Sequence, residues 1–213
     1  SLNIDSFLQG LLRVNASADG SGNNLIRYID ETKLMASEQP LSDVLGLGGD
    51  TRLEFEFSRS LSLQRDHPFA ISGEFFLLGN RMSILPLDVD LDDLAGSLSF
   101  AKEGVTGENI SATLLGNPIT IQAQAKANGA SKFLIDGTLD MASYLQQRFA
   151  TLKDVVAGSA EVHAVFTLPS LFVRDAVERM SITATSDLKG VSLDLPLPLK
   201  KAAASIMPVE LSY

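Results

Sequence analysis

The chain has 213 residues, of which 45% are hydrophobic but only 7% aromatic, with no Trp and no Cys. That is enough apolar content for a sizeable core of aliphatic side chains, and it excludes disulfides, thiolate metal sites and thiol nucleophiles. A net charge of −9 with scattered basic residues makes the chain a poor ligand for nucleic-acid phosphates and for a broadly anionic membrane surface.

The first residues, Ser-Leu-Asn-Ile-Asp, already alternate. From Asn23 to Lys33, Leu25, Ile26 and Ile29 form a stripe that predicts a short helix. Leu53, Phe55 and Phe57 alternate with Arg52, Glu54, Glu56 and Ser58, the mark of a strand with one apolar and one wet face. Gly79-Asn80 lies between two apolar runs and predicts a hairpin turn. Leu87, Val89 and Leu91 alternate with Asp88, Asp90 and Asp92, which reads as a strand with a solvated acidic edge. Further turns are expected at Lys102-Glu103-Gly104, Gly116-Asn117-Pro118 and Asn128-Gly129.

Ile119, Ile121, Ala123, Ala125 and Ala127 alternate with Thr120, Gln122, Gln124 and Lys126. Met141, Tyr144, Leu145 and Phe149 then fall at helical spacing, with Asp140 placed to cap them. Val162, Ala164, Phe166 and Leu168 alternate with Glu161, His163 and Thr167. Ser170 is placed to cap a short helix through Met180. The stretch SDLKGVSLDLPLPLKKAA, from Ser186 to Ala203, follows an alternating run and contains a turn at Lys189-Gly190. Alternation resumes in Val191, Leu193 and Leu195, then stops at Pro196 and Pro198, which lack the N–H a ladder needs. This predicts a long hairpin with a proline-limited exit. Val209 to Tyr213 alternates again. A chain that reads as strand at both ends is expected to be a section of a longer protein.

These patterns predict a mainly β fold with a few short helices, built as a long antiparallel meander. Three short helices cannot cover the apolar side of about ten strands, so the sheet must curl on itself or pair with a second sheet. An open, strongly curved half-pipe and a closed β-sandwich or barrel both satisfy that demand.

Catalytic signatures are sparse. Asp88 to Asp93 lacks the Gly and Glu that an EF-hand loop requires. His67 and His163 are the only histidines, and neither GxSxG nor HExxH occurs. Gly46-Leu-Gly48-Gly49 lacks the Lys-Ser/Thr of a phosphate loop. Glu54, Glu56 and Glu74 could meet across strands, but they belong to the wet face. The expectation is a non-enzyme with no metal and no cofactor.

The run DLPLPLKKAA resembles the C-terminal signature of the YhdP branch of AsmA-like envelope proteins. A second match runs from Leu94 to Ile119, where Gly96, Leu98, Phe100, Gly104, Val105, Ile110, Ala112, Leu115, Gly116 and Pro118 follow that family's order of turn glycines and prolines. Arg27-Tyr28-Ile29 through Leu34 resembles the family's short helix before a block of strands, although its usual Ser-Pro is Thr32-Lys33 here. The resemblance covers most of residues 25–213. It implies one elongated β-rich domain over residues 1–213, a section of a bridge-like carrier in the periplasm of a Gram-negative bacterium. The inner-membrane anchor of such a carrier lies outside this sequence. It implies phospholipid acyl chains as partners, a curved β-taco-like groove and no catalytic residues.

Under that reading Leu53, Phe55, Phe57, Ile119, Ile121, Val162 and Phe166 line the groove, and Ala123, Ala125 and Ala164 keep its floor shallow. The alternative is a non-catalytic structural or adhesion β-sandwich with a closed core.

Overall fold

The computed structural model describes residues 2–5, 11–32, 40–60, 70–143, 155–170 and 179–213. In chain order the elements are β1 (Leu2–Asp5), β2 (Leu11–Ser21), α1 (Gly22–Thr32), β3 (Leu45–Gly48), β4 (Asp50–Ser60), β5 (Ala70–Ile84), β6 (Val89–Ala101) and β7 (Gly104–Leu114). There follow β8 (Asn117–Ala125), β9 (Ser131–Asp140), β10 (Val156–Ala157), β11 (Ser159–Leu168), β12 (Ser181–Ser186), β13 (Ser192–Leu193) and β14 (Val209–Ser212).

Twelve strands form one sheet in the order β1-β2-β4-β5-β6-β7-β8-β9-β11-β12-β14, with β3 paired to β5 off this path. Neighbours are antiparallel, as in β4 against β5 and β9 against β11. The period-two sequence accounts for this: one apolar and one polar face per strand suits a meander joined by short turns. β10 and β13 make a separate two-stranded sheet.

The predicted turn at Gly79-Asn80 does not form. β5 runs through it as a single strand of 15 residues. Gly79 adopts φ +81° at a bulge, where the pairing with β6 shifts register between Leu78 and Asn80. The extra residue keeps Leu77 and Asn80 on one face although they are three apart. Similar shifts occur in β6 around Asp93 (φ +53°) and in β7 around Asn109 (φ +55°).

Asn80 holds the first bulge in place. It is fully buried. Its Oδ1 accepts from Leu78 N at 2.8 Å, and its Nδ2 donates to Gly48 O at 2.9 Å and Asp50 O at 3.1 Å. One side chain thus fastens the corner between β3 and β4 to β5, and its polar groups are satisfied as burial demands.

The predicted hairpin around Lys189-Gly190 is also replaced. β12 pairs with β11 and β14, while β13 pairs with β10. A turn does occur at Lys189-Gly190, but the chain leaves the large sheet there because Leu188 and Val191 pack with Val156 and Ala160 in a second core. β6, read as an acidic edge, lies inside the sheet between β5 and β7. Asp90 on β6 instead accepts Ser83 Oγ at 2.5 Å and Arg81 Nη2 at 2.6 Å. These two bonds, the serine's first, hold its carboxyl below the usual range.

α1 matches the predicted helix. Ile26 is buried in the main core with Leu47 and Leu77. Asp30 fixes the helix to the following segment by accepting Leu41 N at 2.7 Å and Ser42 N at 3.0 Å. Asp140 acts as the predicted cap: its Oδ1 accepts Ala142 N at 3.0 Å and Ser143 N at 3.3 Å. The rest of that predicted helix, and the one expected after Ser170, lie outside the described residues, as does His67.

Candidate functional site

Strand register gathers the apolar side chains into rows that run across the sheet. One row is Ala18, Leu53, Phe75 and Leu98 through β2, β4, β5 and β6. It continues at Gly107, where an added Cβ would lie 2.9 Å from Leu98 Cδ2, and then through Ala123, Phe133, Phe166 and Ile182. The next row holds Ala16, Phe55, Gly73, Phe100 and Val105. On the other side lies Ile110, Ile121, Ile135, Ala164, Ala184 and Leu211, and beside it Ala112, Ile119, Gly137 and Val162. Phe57 stands between Val14 and Ile71.

All ten predicted groove residues therefore share one face. Across the eleven strands of the path that face is about 50 Å wide at the usual strand spacing.

The face is unevenly covered. Ile119, Ile121, Ala123 and Phe166 are buried. Leu53, Phe55, Phe57, Val162 and Ala164 are half-buried, and Ala125 is exposed. Cover comes from one end of the strands. There Leu47, Leu91, Leu139 and Ile26 of α1 belong to one core, and the β10–β13 pair packs on Ala160. Toward the opposite end, among the described residues, Phe55 keeps part of its surface accessible and Ala125 is exposed.

Close packing shapes the rows. A Cβ at Gly73 would meet the Phe100 ring at 2.5 Å, so the ring lies over the glycine. A Cβ at Gly137 would meet Ile119 Cγ2 at 2.6 Å. The Phe133 and Phe166 rings meet in a tilted contact, 5.8 Å between centroids and 43° between planes.

Residues that sequence reasoning did not select also join this surface: Ala16, Phe75, Leu98, Phe100, Ile110 and Ile135. Leu98 and Phe100 carry a legible alternation with Ser97 and Ser99. Phe75 sits in the unbroken run Phe75-Phe76-Leu77-Leu78, where only the register reveals its side.

The opposite face is laced with cross-strand ion pairs: Arg13–Glu56 at 3.0 Å, Arg52–Asp19 at 2.8 Å and Arg81–Asp90 at 2.6 Å. His163 meets Asp136 directly across β11 and β9 at 2.5 Å. That hydrogen bond, aided by the charges of Asp136, Glu161 and Asp187, raises the imidazole pKa. Glu54 and Glu74 are direct cross-strand neighbours.

A hollow of about 750 Å³ crosses β2 and β4 to β8, lined by Glu54, Glu56 and Glu74 from the polar positions and by Phe55, Phe100 and Ala125 from the apolar ones. Among the described residues no group of three His, Cys, Asp or Glu side chains is placed to hold a metal. Nor is any described helix long and apolar enough to cross a membrane.

The chain is similar over 210 residues to the intermembrane phospholipid transporter YhdP of Escherichia coli K12, at 26% identity. That match covers 97% of this chain but only 16% of the relative, so the chain spans about one sixth of that protein's length. No solved structure matches. The family described as YhdP protein matches residues 1–213 throughout. With the family's model matched over the whole sequence, the chain belongs to the YhdP family.

Proposed function

We propose that this chain is a section of a periplasmic bridge that shields phospholipid acyl chains as they pass between the inner and outer membranes. Residues 1–213 act in it as one elongated β-rich domain, and the sheet curves as a half-pipe around the apolar rows. An inner-membrane anchor elsewhere in the longer protein fixes one end. The observation that carries this reading is the single apolar face, continuous through register from β2 to β14, which no second large sheet covers among the described residues.

The physics favours such a surface. A sixteen-carbon tail in water costs on the order of 13 kcal/mol at about 0.8 kcal/mol per methylene, so a carrier must cover the tail along its whole path. Rows of leucine, isoleucine, alanine and phenylalanine across successive strands offer that cover without a deep minimum at any one strand. A closed sandwich needs a partner layer, and among the described residues the second sheet has only two strands.

The test is photo-crosslinking in the longer protein within cells. A benzophenone side chain at Phe55 or Ala125 should yield phospholipid adducts, and one at Thr120 or Gln124, on the other face, should not. Adducts at neither apolar position, or equal yields on both faces, would refute the reading.

A further inference from the structure

Four residues project from the small second sheet as an apolar turn. Pro196 to Leu199 close a β-turn in which Leu199 N donates to Pro196 O at 3.0 Å. Leu197 is 85% exposed and Leu199 57% exposed. Scattered exposed leucines need no explanation, but these two sit on a built base.

Leu193 and Lys201 exchange two backbone hydrogen bonds of 2.9 and 3.0 Å just below the turn. Lys201 is buried, and its ammonium donates to Leu188 O at 2.8 Å and Val191 O at 2.7 Å. Lys200 pairs with Asp194 at 3.1 Å. The base is thus tied on three sides, so the leucines are held outward rather than free to fold back.

The turn's backbone matters as much as its side chains. The hydrocarbon interior excludes most loops because unpaired N–H and C=O groups have no water to bond there, whereas the headgroup–acyl boundary still hydrates a few of them. Here two of the four residues are prolines without an N–H, and the Leu199 N–H is used within the turn. Among the described residues the Leu197 N–H and the carbonyls of Leu197, Pro198 and Leu199 have no protein partner, which suits a shallow seat at the hydrated boundary rather than the hydrocarbon interior.

The charges at the base match a neutral surface. Lys200 and Asp194 cancel, and the Lys201 ammonium is turned inward to carbonyls. We infer that the Pro196–Leu199 turn is an insertion finger for a zwitterionic phospholipid surface. Leu197 and Leu199 enter the acyl boundary, and the Lys200–Asp194 pair rests at headgroup level. This is separate from the acyl-chain rows of the large sheet, so its failure leaves the crosslinking test at Phe55 untouched.

The chain has no Trp, which makes Leu197→Trp a sole indole reporter. The full chain carrying it is mixed with phosphatidylcholine vesicles brominated on their acyl chains. Insertion shifts emission to the blue, quenches it by bromine and protects it from iodide. Lys102→Trp, on the turn between β6 and β7, should show none of these. With the native indole-free chain, replacing Leu197 and Leu199 together by Ser should lower flotation with the vesicles at least tenfold while leaving the far-UV spectrum unchanged.

Three results would overturn the inference. One is an emission maximum unmoved at saturating lipid with iodide access retained. Another is a blue shift that depends on protein concentration without vesicles, which assigns the finger to a second copy. The last is a shift produced only by delipidated envelope protein, which assigns it to a protein partner.

Discussion

Ile121 and Ala125 lie on the same strand and the same face, yet one is 7% exposed and the other is open. Glutamate at each should therefore behave differently. At position 121 the carboxyl enters the core among Ile110, Ile135 and the neighbouring rows. A carboxyl so buried titrates near pH 8–9 rather than about 4.3, so it stays protonated at neutral pH. Each pH unit corresponds to about 1.36 kcal/mol, so the proton taken up at pH 7 costs about 3.7 kcal/mol. Lost isoleucine packing adds about 1–3 kcal/mol. A total of about 5–7 kcal/mol removes most of the stability of an ordinary domain.

The sign is fixed by linkage. The folded Ile121→Glu variant binds more protons than the unfolded one, so its stability recovers as pH falls. The deficit relative to the parent should shrink by about 2.7 kcal/mol between pH 7 and pH 5. Ala125→Glu should stay within about 0.5 kcal/mol of the parent at both values. Urea denaturation followed by far-UV circular dichroism measures both variants. An unchanged midpoint for Ile121→Glu, or an equal deficit at pH 7 and pH 5, would refute the burial argument.

Three other outcomes are expected. Asn80→Ala strands Leu78 N, Gly48 O and Asp50 O in the interior and should cost about 2–4 kcal/mol. Hydrogen exchange should quicken first at Leu78 and along β3. Gly137→Val drives a side chain into Ile119 and should lower stability by about 1–3 kcal/mol, whereas Gly116→Ala, with nothing near its Cβ, tests only the cost of a φ of +77°. His163 gains a partner on folding, so its contribution is complete below the ordinary value of 6.5 and fades as pH rises through the raised folded value. His163→Gln should abolish that pH dependence, and the imidazole C2 proton in NMR should titrate above 6.5 in the parent.

Side-chain parity could be read directly from the sequence. Alternation in a strand is a property of consecutive residues, so Leu53, Phe55 and Phe57, or Ile119 through Ala125, are assigned to one face without knowledge of any neighbour. The same locality explains the misreading at Gly79-Asn80. A glycine at positive φ serves a turn and a bulge equally well, and only the continuing ladder with β6 distinguishes them. It also explains the hairpin expected around Lys189-Gly190. The alternating halves were legible, but their partners, β11 and β14 for one and β10 for the other, are remote in sequence.

Alternation along the chain establishes the class of this protein: an antiparallel sheet, aliphatic on one face and charged on the other. Coverage of the aliphatic face emerges only when distant segments pack together. Ile121 and Ala125 are equivalent in pattern. They differ in exposure because, among the described residues, α1, β3 and the β10–β13 pair gather at the end of the strands where Ile121 lies and not at the end where Ala125 lies. Burial depends on contacts between segments far apart in the chain, and no local period encodes them.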